Sequence, residues 1–207
     1  MTTVPSAAAM ARGENAAAPG SFPVVAIVSS AGGLTATSRV LAGLPSGLHA
    51  AIIVLQHISP GHRSLLTEIL ARCTPLPVVT AREGALLAPG SVVVAPPGHH
   101  LLVTKERRIA LIPSGPVPPP RPSADLLLTS LALVFGPAVV AVVLSGNGND
   151  GATGATAVHH FGGLVIATDA ATSNHFSMPA ACISRDDIVD HVLSLDQVAP
   201  MLLALVA

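Results

Sequence analysis

The sequence contains no tryptophan and no tyrosine, and four phenylalanines make up its aromatic content. That leaves almost nothing on which nucleic-acid bases could stack. Charge is equally scarce. Charged residues are 10% of the chain, against roughly 25% in an average soluble domain. Ten Lys+Arg against eleven Asp+Glu give a net charge of −1, which excludes a basic, phosphate-tracking nucleic-acid binder. The two cysteines, Cys73 and Cys182, lie far apart and outside any C-x-x-C pair. This excludes a disulfide framework and a thiolate metal site, and reads as two buried free thiols in a reducing compartment. The longest apolar run, Leu131–Leu144, is broken by Gly136 and Pro137 and falls short of the roughly 20 residues of a membrane-spanning helix. No membrane insertion is expected. Arg12, Glu14 and Asn15 interrupt the Ala- and Pro-rich stretch Met1–Ser21, so no signal-peptide apolar core forms there. Residues 1–21 are expected to be a disordered tail, and a cytoplasmic location follows by default.

What the chain does have is aliphatic bulk: half of its 207 residues are apolar, enough for the core of one α/β domain over residues 22–207. Pro23–Val28 and Ala50–Leu55 are continuous runs of the kind buried on both faces of a parallel sheet. Helical spacing follows each of them, over Leu34–Leu44 and His62–Cys73, with Pro60-Gly61 as a turn. Strand–loop–helix units this close together predict right-handed crossovers. Val78–Ala81, Ser91–Ala95, Leu101–Thr104 and Ile109–Ile112 read as short strands of an antiparallel insertion at the sheet edge, with Lys105–Arg108 as a hairpin turn. Pro116–Pro122 reads as a stiff polyproline-like connection. Parallel architecture then resumes. A helix over Ser123–Phe135 is capped by Ser123, followed by a strand over Ala138–Leu144, a helix over Ala152–Phe161 and a strand over Leu164–Thr168. A terminal helix over Leu195–Val206 carries Pro200 in its first turn.

Sites in such folds lie beyond the carboxyl ends of the strands. Three polar loops fall there: Ser29-Ser30-Ala31-Gly32-Gly33, Gln56-His57, and Ser145-Gly146-Asn147-Gly148-Asn149-Asp150-Gly151. A hydroxyl, an imidazole and a carboxylate after three strands are the parts of a nucleophilic acyl-transfer site. The serine loop nearly satisfies the G-x-S-x-G elbow, with Val28 in place of the first glycine. Each loop alone has a plainer reading. A strand–Gly-Gly–helix turn can cradle phosphate, a His after a buried strand can be structural, and Asp150 can be the N-cap of the Ala152 helix. The doublets His99-His100 and His159-His160 diverge on a strand or a helix and chelate poorly, so no metal is expected.

Taken in order, the segments Ile27–Gly33, Leu55-Gln56-His57-Ile58, Leu87-Ala88-Pro89-Gly90, Val94–His100, Arg121-Pro122-Ser123-Ala124-Asp125, Leu144–Gly151 and Phe176–Ala181 resemble the catalytic domain of the chemotaxis protein-glutamate methylesterases, the CheB family. The resemblance implies a three-layer, mostly parallel, Rossmann-like doubly wound α/β sheet with an antiparallel hairpin insertion. It implies hydrolysis of glutamate γ-methyl esters, and in many members deamidation of glutamine, on methylated chemoreceptor-like proteins, without a cofactor. By position, Ser30 would be the nucleophile, His57 the general base and Asp150 the carboxylate, with the backbone N–H groups of Ala31 and Asn147 as oxyanion donors. Val28 and Ala31 replace a Gly and a Thr usual at the family's elbow, and Asn147 replaces a Met. The family's N-terminal receiver domain is not expected in 21 tail residues. Control would then be absent or supplied by a separate response regulator. Two further readings stand beside the enzyme. One is a weakened member serving as a partner-binding module in a two-component signalling pathway. The other is a nucleotide-binding domain, which lacks a G-x-G-x-x-G pattern and an acidic residue near Leu55.

Overall fold

The computed structural model describes residues 22–59, 64–115 and 121–206. The expected tail, the Pro60-Gly61 turn and most of the polyproline segment lie outside them. The uninterrupted β-branched runs form the centre of a seven-stranded sheet. Its strands are β1 (Val24–Ser29), β2 (Ala51–Gln56), β3 (Val78–Thr80), β4 (Val92–Val94), β7 (Val139–Val143), β8 (Leu164–Thr168) and β9 (His191–Leu193). The spatial order is β3-β4-β2-β1-β7-β8-β9, and every pairing is parallel. Alternation along the strands divides the core in two. Val24, Ala26 and Val28 face one side with Ile53, Leu55, Ala141 and Val143; Val25 and Ile27 face the other with Ile52, Val54 and Val142.

Three helices cover each face. On one side lie α1 (Gly33–Ala42), α2 (Leu66–Leu70) and α6 (Leu195–Val206). On the other lie α3 (Ala124–Phe135), α4 (Ala152–His160) and α5 (Ser177–Ile183). The chain leaves β1 for β2 on one side and later enters β7 on the other, so the direction of winding reverses between β1 and β7. The carboxyl ends of those two strands form the crevice in which such sheets hold their sites.

The middle of the chain corrects the sequence reading. β3 and β4 are parallel members of the main sheet and no part of an antiparallel insertion. Among the described strands, β5 (His99–Val103) and β6 (Ile109–Pro113) alone pair antiparallel, as a separate two-stranded sheet turning through Thr104–Arg108, with an isolated antiparallel bridge between Leu86 and Arg108. This hairpin lies against α3 rather than along the edge, because Leu101, Val103 and Ile109 join the core on that face, and Val103 N donates to Ser130 Oγ at 3.0 Å. Three-residue strands carry too little alternation to tell the two pairings apart.

Of the helix expected over His62–Cys73, residues 62–63 lie outside the described residues, and among the rest Leu66–Leu70 are helical, with Ser64 Oγ accepting the Leu66 N–H at 3.2 Å. Pro200 lies in the second turn of α6, on its exposed side. Strand β9, helix α5 and a 3-10 turn over Gly136–Ala138 were not anticipated. Of the two thiols, Cys182 is buried and pushed up to about 12, by burial first and then by the nearby Asp125 charge. Cys73 is only half-buried, its Sγ donating to Ile69 O at 3.3 Å.

Helices α3 and α4 meet where α4 carries a glycine. A Cβ on Gly154 would lie 2.6 Å from Leu128 Cβ and 3.0 Å from the Asp125 backbone. Gly154→Ala is therefore expected to cost about 1–3 kcal/mol in urea unfolding, the range for overpacking a tight core. Gly47→Ala, where a Cβ meets nothing within 4 Å, is expected to stay within about 0.5 kcal/mol. Equal stability of the two variants would contradict this account of the helix pair.

Candidate active site

The register of the sheet brings the first two predicted residues together. Ser29 pairs with Gln56, so Ser30 and His57 each follow a register partner on adjacent strands, which run roughly 4.8 Å apart. The His57 N–H donates to Ser29 O at 3.0 Å, which ties the base-bearing loop to the serine loop. On the other flank of β1, the Ser30 N–H donates to Ser145 O at 3.0 Å. The elbow turns sharply: Gly33 N–H donates to Ser30 O at 2.9 Å, and Gly32 sits at φ +74. Glycine is required there twice over, since a Cβ on Gly32 would also lie 2.8 Å from Ser145 Oγ.

Ser145, buried at the end of β7, fastens the loops. Its Oγ donates to Ala31 O at 2.8 Å and accepts the His175 N–H at 3.0 Å. Gly146 lies directly on the serine: a Cβ there would be 2.9 Å from Ser30 Cβ and 2.6 Å from Met178 Sδ. The amides flanking Asn147 are engaged, Gly146 N–H by His175 O at 2.9 Å and Gly148 N–H by Ser177 Oγ at 3.0 Å. Among the described residues the N–H groups of Ala31 and Asn147 have no hydrogen-bond partner, so both are free to donate to a bound oxygen. A groove of about 520 Å³ along the β3 edge, lined among others by Thr80, Arg82 and Leu86, involves none of these residues.

Asp150 is not the cap of its own helix. Residue Gly151 takes the N-cap position of α4 with no side-chain bond, and the Asp150 carboxylate instead crosses to the N-terminus of α3. There it accepts from Ala124 N at 2.6 Å, Asp125 N at 3.0 Å and Ser123 Oγ at 3.1 Å. Its fourth bond is to His57 Nε2 at 2.8 Å. Burial pushes this carboxyl up, but the bonds from His57, Ala124 N–H and Asp125 N–H outweigh it and hold it below its ordinary 3.8. An ionised carboxylate only accepts, so the proton of this pair sits on Nε2, and in the neutral ring Nδ1 is the nitrogen left with a lone pair. Ser30 Oγ makes no hydrogen bond to His57 or to any other described residue, a contact that often tightens only with substrate.

A sequence model of the family described as CheB methylesterase matches residues 25–202. The chain belongs to the CheB methylesterase family. Among its relatives, the protein-glutamate methylesterase FrzG of Myxococcus xanthus is 41% identical over 165 residues, 80% of this chain and 49% of that protein. A protein-glutamate methylesterase/protein-glutamine glutaminase of Anaeromyxobacter dehalogenans is 40% identical over 190 residues, 90% of this chain and 55% of that protein. The crystal structure of the Thermotoga maritima CheB methylesterase catalytic domain aligns with a TM-score of 0.84 at 33% identity, covering 90% of this chain and 100% of that one. The chain thus spans about half the length of the curated relatives it matches. The mostly parallel sheet with helices on both faces is the fold of this family's catalytic domain. Among the described residues, no helix is long and apolar enough to cross a membrane.

Val28, standing where a glycine was expected at the elbow, is fully buried and packs into the core on the α3 side of the sheet. Two residues of the site went unrecognised in the sequence. Ser123 was read only as a helix cap, which it is, accepting the Leu126 N–H at 3.4 Å while donating to Asp150. Asp125 returns the favour to α4, its Oδ1 accepting Gly151 N–H at 2.9 Å and Gly154 N–H at 2.7 Å. Burial first, and then the neighbouring Asp150 charge, hold Asp125 above its ordinary 3.8 against those bonds. The Ser-x-Asp pattern at the start of α3 was the available signal.

A carboxylate held below its unfolded pKa contributes stability that is present above that value and lost as pH falls through the folded one. Asp150→Asn is therefore expected to cost roughly 1–3 kcal/mol at pH 7, and the gap to the wild type should narrow below about pH 4. Urea titrations at several pH values measure it. A gap of the same size at pH 7 and pH 3 would contradict the charge-based account.

Proposed function

We propose that this chain hydrolyses glutamate γ-methyl esters on methylated chemoreceptor-like proteins, with Ser30 as nucleophile, His57 as general base and Asp150 as its orienting carboxylate. The observation that carries the proposal is the 2.8 Å bond between His57 Nε2 and Asp150, formed beside a serine elbow at the reversal point of the sheet. Names of relatives support the substrate: both the Myxococcus and the Anaeromyxobacter proteins are protein-glutamate methylesterases, and the second is also a protein-glutamine glutaminase. A binding module without turnover is not favoured by such relatives.

The chemistry follows from which imidazole nitrogen is bare. Ser30 Oγ attacks the ester carbonyl carbon while its proton passes to His57 Nδ1, and the Nε2–H keeps its hydrogen bond to Asp150. Charge on the imidazole is balanced by the carboxylate, and charge on the carbonyl oxygen by the Ala31 and Asn147 N–H groups. Collapse breaks the C–O bond to the methoxy group, which leaves as methanol with the proton from Nδ1. Water then attacks the glutamyl-serine ester, gives a proton to Nδ1, and releases the γ-carboxylate as Ser30 regains its hydrogen. A glutamine side chain would follow the same course with ammonia leaving. This second activity rests on the glutaminase name of the relatives.

The test is methanol release from a methylated chemoreceptor signalling fragment. The wild type is expected to release methanol, and Ser30→Ala to lose about 10⁴–10⁶ in rate while unfolding at the same urea concentration. Equal release by the two proteins would overturn the assignment of Ser30.

A further inference from the structure

Both partners of the imidazole–carboxylate pair are anchored in one short segment, residues 121–125. Arg121 O accepts the Ile58 N–H at 2.9 Å and so fixes the chain immediately after His57. Ser123 Oγ, Ala124 N–H and Asp125 N–H hold Asp150. One donor of that segment is left without a partner in the helix, the N–H of the N-cap residue Ser123. It donates to His100 Nδ1 at 2.9 Å. His100 comes from β5, the first strand of the hairpin that otherwise serves only as cover for α3.

A ring nitrogen that accepts carries no proton, so the bond exists only while His100 is neutral. The charges around it work in opposite directions. Asp150 favours protonation, whereas burial and the Arg121 guanidinium oppose it, and burial is the largest effect; the net result lies below the ordinary 6.5. The Arg121 guanidinium is itself bound to Gly115 O. On α3 the only charged side chain is Asp125, which is turned to the amides of Gly151 and Gly154. Strand β6 brings no charged side chain, and His99 on the same strand reaches Pro97 O at 3.3 Å.

We infer that His100 is a positioning residue for the proposed hydrolysis: neutral, with Nδ1 accepting the Ser123 N–H, it holds residues 121–125 where they keep Asp150 on His57. Protonation replaces the acceptor by a second N–H facing the Ser123 N–H, and sets a cation near Asp150 that competes with His57 for its charge. Acid then lowers activity through two imidazoles, the base and its support.

The inference rests on the proposed function, and the test separates the two. Three proteins are compared in full length: wild type, His100→Asn and His100→Leu. Asparagine places Oδ1 where Nδ1 stood and does not titrate; leucine offers no acceptor. For methyl-ester hydrolysis, log kcat is expected to follow an acid limb of slope one in H100N and, in the wild type, to drop about tenfold or more below that limb, steeper than one over the range in which His100 takes up its proton. At pH 8, kcat of H100N should stay within about threefold, and H100L should lose about tenfold in kcat with KM unchanged, the size of one lost hydrogen bond. Coinciding acid limbs in wild type and H100N, or a wild-type kcat in H100L, would overturn the inference. A wild type without turnover would count against the proposed function alone. The Ser123 amide then decides about His100: its hydrogen-exchange protection should be kept in H100N and lost in H100L, and equal protection in all three proteins would overturn the inference.

Discussion

The site depends on a single carboxylate placed at the N-terminus of a helix other than its own. Asp150 ends the loop after β7, yet its oxygens take up two backbone N–H groups and the cap hydroxyl of α3, donors that a helix cannot satisfy by itself. Four hydrogen bonds from fixed directions leave the carboxylate one orientation, and the imidazole takes the bond that remains. The same contacts keep the carboxyl ionised despite its burial. An ionised, acceptor-only Asp150 is what assigns the tautomer of His57, and the tautomer decides which nitrogen is available as a base.

The surrounding fold is organised to make that placement possible. α3 and α4 exchange acids: Asp150, just ahead of α4, serves the first turn of α3, and Asp125, in the first turn of α3, serves the amides of Gly151 and Gly154. Gly154 permits the close approach that this exchange needs. The parallel register then carries the serine and histidine loops to neighbouring positions, and Ser145 ties the elbow to the segment holding His175. Rigidity at the carboxyl ends of β1, β2 and β7 comes from buried aliphatic strands, while the loops above them are held by hydrogen bonds such as Ser30 N–H to Ser145 O and His57 N–H to Ser29 O, of the usual net worth of about 1 kcal/mol each.

Much of this was legible in the sequence because its elements are extreme. Continuous runs such as Val24–Val28 and Val139–Val143 are buried on both faces, and runs of that kind leave little choice but a parallel central strand. The Ser123 cap was readable from its position before a helical apolar pattern. The three candidate residue types stood out because each follows such a strand or lies in its loop. The pairing of β3 and β4 was not legible, since three-residue strands look alike in either sense. Nor was the crossing of Asp150 to α3, because a carboxylate one residue before the N-cap of α4 matches a local cap in every sequence feature. Which helix it serves is decided by the packing of α3 on α4, a tertiary fact. His100 was hidden for the same reason: its partner is a backbone N–H 23 residues away.

The most direct measurement of the central claim is the tautomer of His57, read from imidazole ¹⁵N shifts and ¹H–¹⁵N correlations in histidine-labelled protein at a pH where the ring is neutral. The account predicts the proton on Nε2, with that N–H resonance shifted downfield by Asp150 and a bare Nδ1. A proton on Nδ1 instead would mean that Asp150 does not orient the imidazole, and the nitrogen assigned to take the serine proton would already be occupied.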